Sequence, residues 1–272
     1  MRIAGKGFSA EGKTVNFTFN GRHLMGLEGD TLASALLAND IHLVGRSFKY
    51  HRPRGILTAG SEEPNALVTL GHGPGQDPNI RATTQELYEG LEARSQNCWP
   101  SVEHDILAVN NLAAPFFGAG FYYKTFMWPA AFWEKLYEPM IRRAAGLGAL
   151  SGEADPDCYE KAYAFCDLLV VGSGPAGLMA ALTAGRAGAD VLLLEEDSRL
   201  GGRPLVEQEE IDGQPAGVWL QEVLAELGAM PNVRLMARTT VTGAYDQGTY
   251  GALERVSQHE MRRHSLKECH RP

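Results

Sequence analysis

Apolar and polar residues alternate from residue 14 onward. Val15, Phe17 and Phe19 share one face, Asn20-Gly21 supplies two residues that tolerate positive φ, and residues 24–27 return, so the pattern predicts a β-hairpin. The period then changes. Leu32, Ala35, Leu36 and Ala38 recur at helical spacing behind Asp30 and Thr31, either of which can cap a helix ending near Asn39. A basic loop follows, then a strand at 66–70 within a stretch, 60–80, whose Gly, Pro, Asn and Asp read as an irregular loop. From 113 to 147 the chain is unusually aromatic. Trp133, Leu136, Tyr137, Met140, Ile141 and Ala144 would line one face of a helix that Pro139 interrupts and kinks. That segment reads as a connector packed between domains or as a surface for a partner subunit. Small and acidic residues at 148–156 read as a linker.

Beyond the linker the pattern becomes that of an α/β domain. Leu168 to Val171 is a continuous apolar run, the signature of a buried parallel strand, and Val191 to Leu194 is a second such run. Trp219, Leu220, Val223, Leu224 and Leu227 fall on one face of a helix, and Val233 to Met236 followed by 239–241 read as a third strand and its exit.

Between the first two strands lies the strongest chemical signal. Gly172, Gly174 and Gly177 have GxGxxG spacing directly after a strand and at the start of a helix. Gly172 permits the tight turn, Gly174 lets backbone approach a pyrophosphate with no Cβ in the way, and Gly177 permits close helix–strand packing. The N–H groups of the helix that starts near Pro175 would face the phosphates. Ala181 gives a small contact on that helix and Gly188 ends it. Glu195, at the end of the second strand, falls where a carboxylate accepts hydrogen bonds from adenosine ribose hydroxyls and repels a 2′-phosphate. Just downstream, Arg199-Leu200-Gly201-Gly202-Arg203 is a basic glycine turn, and with the fingerprint it resembles the RxGG pattern of two-dinucleotide-binding-domain flavoproteins, which bind FAD or NAD(P). Both cofactors carry the ADP moiety that such a fingerprint reads, so these residues leave NAD and FAD open.

Composition narrows the remaining functions. A net charge of −8 argues against a nucleic-acid surface, which would cluster Lys and Arg. The loop RSFKYHRPRG gathers Arg46, Lys49, His51, Arg52 and Arg54, and is either a solvated loop held by Pro53 and Gly55 or a site for an anion or an acidic partner. Cys98, Cys158, Cys166 and Cys269 match no zinc or iron–sulfur spacing, which predicts buried thiols and no metal ligands. The start of the chain has no apolar leader core and no run is long enough to span a bilayer, so a cytoplasmic protein with no membrane partner is expected.

The stretches GDTLASALLAND, GRSFKYHRPRGI, GFYYKTFMWP, VVGSGPAGLMAA, LLLEED and YDQGTYGALERV together resemble the alpha subunits of heterotetrameric sarcosine oxidases, over roughly residues 10–256. The resemblance implies a ferredoxin-like β-grasp domain at 10–100, an aromatic helical connector at 101–160, an incomplete Rossmann-type domain at 161–258 and an atypical basic tail at 259–272. It implies NAD held without a covalent bond in this chain, with contacts at Gly172, Gly174, Pro175, Ala176, Gly177, Glu195, Glu196 and Asp197, then Gly202, Arg203 and Val241. FAD and covalently held FMN would belong mainly to the beta subunit and its interface, with gamma and delta subunits completing the complex. No catalytic residue is expected in this chain. The complex would convert sarcosine to glycine, formaldehyde or methylene-tetrahydrofolate, and hydrogen peroxide. Alternatives are a subunit of an FAD-dependent amine or opine oxidoreductase and a truncated, non-catalytic dinucleotide-binding protein.

Related cluster-bearing enzymes place thiolates at C-x4-C-x2-C with a distant fourth. Aligned on LVTL, those positions are Thr58, Glu63, Ala66 and Thr83, which predicts a domain without an iron–sulfur cluster. The tail HEMRRHSLKECHRP has no strand or helix pattern, so the chain reads as a truncated product, inactive and poorly stable alone, and Cys269-His270 reads as no catalytic pair.

Overall fold

The computed structural model describes residues 2, 12–116, 118, 120, 126–144, 146–154, 159–206 and 209–256. These described residues fall into two compact units, one before Tyr159 and one from Tyr159 onward. The tail beyond 256, with Cys269 and His270, and also Cys158, lie outside the described residues.

The first unit is a β-grasp. Strands β1 (Thr14–Phe19) and β2 (Arg22–Leu27) form the expected hairpin, in register from Thr14 opposite Leu27 to Phe19 opposite Arg22. Asn20 and Gly21 both take positive φ, 51° and 75°, as a tight two-residue turn requires. Helix α1 (Leu32–Ala38) is capped by Thr31. Its Oγ1 accepts from Ser34 N at 3.2 Å and the Ser34 hydroxyl accepts from Thr31 N at 3.0 Å. Asp30 instead braces the entry to the helix, accepting from Leu27 N and Ser34 Oγ, each at 2.8 Å. A short ribbon, β3 (Gly45–Arg46) with β4 (Pro53–Arg54), precedes β5 (Leu67–Leu70), β6 (Asp77–Arg81) and β7 (Leu91–Ser95). The sheet order is β2-β1-β7-β5-β6, with β7 parallel to β1 and the other pairs antiparallel. Val15, Phe17, Phe19, Leu32, Leu36, Val68 and Leu91 form the core between sheet and helix.

Two strands depart from the sequence reading. Residues 77–81 are a strand, disguised by Pro78, by Asn79 at φ 63° and by a bulge between Val68 and Leu70. Leu91–Ser95 fills a central position with just Leu91 and Ala93 facing the core, too few apolar residues to announce a strand. The basic loop is largely bound into its own unit. Arg46 donates to the carbonyls of Val102, His51 and Glu103 at 2.8, 3.1 and 3.2 Å, and buried His51 meets buried Asp105 at 2.7 Å. Lys49 and Arg52 lie over the Tyr50 ring.

In the aromatic segment a π-helical turn, Trp133–Tyr137, runs into α2 (Glu138–Ala144), so the break falls where Pro139 predicts one. The apolar stripe is only partly packed against the described chain, through Tyr137, which meets the Phe126 and Phe132 rings, and half-buried Ile141. Trp133, Leu136 and Met140 of the same stripe are exposed, Met140 to 60%.

The second unit contains β8 (Leu168–Val171), α3 (Pro175–Arg186), β9 (Val191–Leu194), a two-residue ribbon β10–β11 (Glu210–Ile211 with Gln214–Pro215), α4 (Ala216–Ala229), β12 (Val233–Met236), β13 (Thr239–Tyr245) and β14 (Thr249–Glu254). The parallel sheet has the order β12-β9-β8. Leu178, Ala181 and Leu182 of α3 and Trp219, Leu220, Val223 and Leu227 of α4 bury against it. Strand β8 is not the buried strand that its composition suggested. Among the described residues it is the edge of the sheet, Val170 alone of its residues is buried, and Val171 is 59% exposed. Residues 239–241 also open a separate antiparallel hairpin, β13–β14, rather than ending the third strand. Among the described residues no helix is long and apolar enough to cross a membrane.

Candidate dinucleotide-binding site

The site is built where β8 turns into α3. Gly172 takes φ 92°, which an L side chain rarely adopts, and its N–H donates to the Leu194 carbonyl at 2.7 Å, fixing the turn onto the end of β9. Gly174 then caps α3. A Cβ added to Gly174 would meet nothing within 4 Å, so the space over its backbone is open to a ligand atom. Pro175 at the first helical position has no N–H to lose, and the first-turn geometry of any helix leaves the N–H groups of Ala176 and Gly177 as donors at its positive end. Gly177 serves packing, since a Cβ there would lie 2.0 Å from the Gly172 carbonyl oxygen.

The downstream glycine turn folds against the first one. Gly201 N–H donates to Ser173 Oγ at 2.9 Å, and a Cβ on Gly202 would come within 3.2 Å of Gly174 Cα. Arg203, exposed, opens a short helical turn beside this contact. Sequence reasoning did not single out Ser173, which occupies the variable position between the first two glycines and is fully buried. Nothing in the fingerprint signals that role.

Glu195, 8% exposed, ties the parts together. Its Oε2 accepts from Ser173 N at 2.7 Å and from Ser173 Oγ at 2.6 Å, while Oε1 accepts from Asp197 N at 3.0 Å. Two carboxylate oxygens offer about four acceptor positions, so about one remains for a ligand hydroxyl. The Glu196 carbonyl accepts from Arg255 Nη2 at 2.5 Å, and the Asp197 carbonyl accepts from Arg238 N at 2.9 Å. Burial, then the neighbouring Glu195 and Glu196, push the Asp197 carboxyl up to about 6, with Arg255 opposing them. Thr239 N donates to the Glu195 carbonyl at 2.7 Å, which places the start of β13 at the acidic corner; half-buried Val241 follows on that strand, opposite Ala252. The glycine loop therefore touches Glu195 through Ser173 and lies beside Gly202 at Gly174. Glu196, Asp197 and β13 border them on the carboxylate side.

A β-grasp unit followed by a Rossmann-type unit with two interlocked glycine turns defines a flavoprotein-oxidoreductase architecture. Consistent with this, the family model for a 2Fe-2S iron-sulfur cluster binding domain matches residues 12–98, and that for FAD dependent oxidoreductases matches 167–207. Over nearly its whole length the chain is homologous to sarcosine oxidase alpha subunits. It is 63% identical over 258 residues to that of Rhizobium meliloti (strain 1021), covering 95% of this chain and 26% of that protein. It is 36% identical over 252 residues to that of Corynebacterium sp. (strain P-1), covering 91% of this chain and 21% of that one. The chain thus spans about a quarter of the length of the curated relatives it matches. The crystal structure of L-proline dehydrogenase from P. horikoshii shares the fold, with a TM-score of 0.54 at 20% identity over 90% of this chain and 38% of that chain.

The cluster-binding family model invites a test of whether a [2Fe–2S] cluster fits. It does not. Thr58, Glu63, Ala66 and Thr83 offer no thiol, and among the described residues no group of three or more His, Cys, Asp or Glu could hold a metal ion. Cys98 and Cys166 are half-buried rather than fully buried thiols. Burial first, then Asp105, raises the Cys98 pKa, and burial first, then Asp190, raises that of Cys166.

Proposed function

We propose that this chain is the dinucleotide-binding portion of a sarcosine oxidase alpha subunit and that it binds NAD. The observation that carries this reading is the contact of three features in a chain 63% identical to such a subunit: the open backbone over Gly174, the Gly201-Gly202 turn folded onto it, and the acidic end of β9. The N–H groups of Ala176 and Gly177, with the Gly202 turn and Arg203, would hold the pyrophosphate. The remaining acceptor of Glu195 would take a ribose hydroxyl, Glu196 and Asp197 would disfavour a 2′-phosphate, and Val241 would border the adenine. FAD and FMN, carried mainly by the beta subunit in a cytoplasmic complex with gamma and delta subunits, would supply the redox chemistry that takes sarcosine to glycine, a one-carbon unit and peroxide. This chain binds and orients a nucleotide and supplies no acid or base to that reaction, so alone it produces no peroxide from sarcosine.

Mass spectrometry of the nucleotides released from the denatured complex, with calorimetry of the full chain against NAD and NADP, tests the assignment. NAD release and a preference for NAD over NADP are expected. Failure of both nucleotides to bind, with no dinucleotide released, would overturn it. A second reading places FAD in this same pocket, and the FAD dependent oxidoreductase match at 167–207 favours it. Recovery of FAD bound to the isolated chain would decide for that reading.

A further inference from the structure

The β-grasp unit contains a buried carboxylate that nucleotide binding does not use. Glu63 is 1% exposed, and its two oxygens gather four backbone amides from one loop. Oε2 accepts from Leu57 N and Thr58 N, both at 2.7 Å, and Oε1 accepts from Asn65 N at 2.7 Å and Ala66 N at 3.1 Å. The Thr58 hydroxyl stands 3.4 Å from Oε2. Successive amides aimed at one point form a nest for an anion, a device used at phosphate and iron–sulfur sites.

The positions around this anion are those where a ferredoxin-type C-x4-C-x2-C pattern would place thiolates, namely Thr58, Glu63 and Ala66, with Thr83 as the distant fourth. They converge in space. Glu63 N donates to the Gly60 carbonyl at 3.4 Å, Thr83 Oγ1 donates to the same carbonyl at 2.6 Å, and Ala82 N donates to the Ala66 carbonyl at 2.9 Å. A cluster ligated by four thiolates and a carboxylate place the same demand on a loop, a buried negative charge met by backbone N–H groups. We propose that the Glu63 carboxylate stands in the place of an iron–sulfur cluster, so that the 57–66 loop is organised around a side chain and the β-grasp unit takes no part in electron transfer.

The argument holds whichever nucleotide the second unit binds, and its test uses the full chain. Anaerobic incubation of the wild-type chain with ferrous iron, sulfide and a thiol reductant should leave iron and labile sulfide at background. About two of each per chain would overturn the proposal. Hydrogen exchange supplies a reading independent of iron. The amides of Leu57, Thr58, Asn65 and Ala66 should be protected in the wild type, and Glu63→Gln should speed their exchange roughly 10- to 100-fold, because the carboxamide turns a donor toward two of the four N–H groups. Should Glu63→Gln fail to fold, the wild-type exchange and iron measurements still decide, since unprotected amides at those four positions in the wild type would sink the proposal.

Discussion

Alanine at Gly177 should damage both the second unit and its nucleotide affinity, although alanine is the better helix former. The added methyl would sit 2.0 Å from the Gly172 carbonyl oxygen, 3.2 Å from its carbonyl carbon and 3.4 Å from Val170 Cγ1. The first two are backbone atoms, and Gly172 is itself held by the 2.7 Å hydrogen bond from its N–H to Leu194. The clash therefore cannot be relieved by a rotamer change, and α3 must move away by roughly 1 Å to restore van der Waals distance. Overpacking of this kind costs about 3 kcal/mol, against roughly 1 kcal/mol gained from helix propensity and a less flexible unfolded chain, for a net loss of about 2 kcal/mol. Gly217→Ala in α4 is the matched control, because a Cβ there meets nothing within 4 Å and the same exchange should stabilise by about 0.5–1 kcal/mol. Urea titrations read by amide exchange in the second unit separate it from the first, and calorimetry with NAD should show affinity reduced at least tenfold, about 1.4 kcal/mol. A Gly177→Ala chain as stable as the parent, or one that binds NAD unchanged, would refute the close-packing argument.

Asp197→Asn should stabilise the chain near pH 7 and leave it unchanged below about pH 4. The folded carboxyl, raised to about 6, binds its proton more tightly than the unfolded one, so its ionisation erodes stability as pH rises through the window between them; solvent screening limits the gain to about 1–2 kcal/mol. Unfolding midpoints across pH 4–8 would show this, and a gain that did not grow with pH would contradict the cause assigned. Ser173→Ala removes one donor to Glu195 and the acceptor for Gly201 N–H, and should weaken NAD binding by about tenfold while costing about 1–2 kcal/mol; unchanged affinity would separate the glycine turns from the site. Thr31→Ala should cost the first unit about 1 kcal/mol through loss of the α1 cap, with no change in nucleotide affinity, a selectivity that unit-resolved exchange can check.

What the sequence revealed follows from how local each signal is. The hairpin at residue 14, the helix behind Thr31 and the β8–α3–β9 sequence carry their own period and turn residues, so each reads without knowledge of its neighbours. Strand β7 does not. It is central because β1 and β5 pair with it from distant parts of the chain, and Leu91 and Ala93 alone record that burial. Strand β6 was obscured by Pro78 and by Asn79 at positive φ, while 239–241 read as the exit of the third strand and not as the start of the β13–β14 hairpin. The apolar runs of β8 and β9 look alike, yet among the described residues β9 lies between two strands and β8 pairs with one, a difference set by pairing rather than composition. In the candidate site the positions were legible and the connections were not. GxGxxG names the glycines, but it cannot show that the serine between them is the donor joining Glu195 to the second glycine turn.

Two buried glutamates, one in each unit, solve the same physical problem to different ends. A carboxylate removed from water is costly unless its lone pairs are met, and in both places backbone N–H groups from a nearby loop help to meet them. Around Glu63 the loop supplies four amides and a nearby hydroxyl, which use up the roughly four acceptor positions and close the loop on itself; burial raises its pKa, and the amides of Thr58, Asn65, Leu57 and Ala66 outweigh that and hold it below the ordinary glutamate range. Around Glu195 there are three donors, two of them from Ser173, so the glycine loop is anchored while acceptor capacity is left over beside an open helix terminus. A saturated carboxylate organises a loop and offers nothing to a ligand, whereas an unsaturated one does both. On the proposed readings, that difference in hydrogen-bond count separates a loop closed on its own side chain from a loop open to a nucleotide.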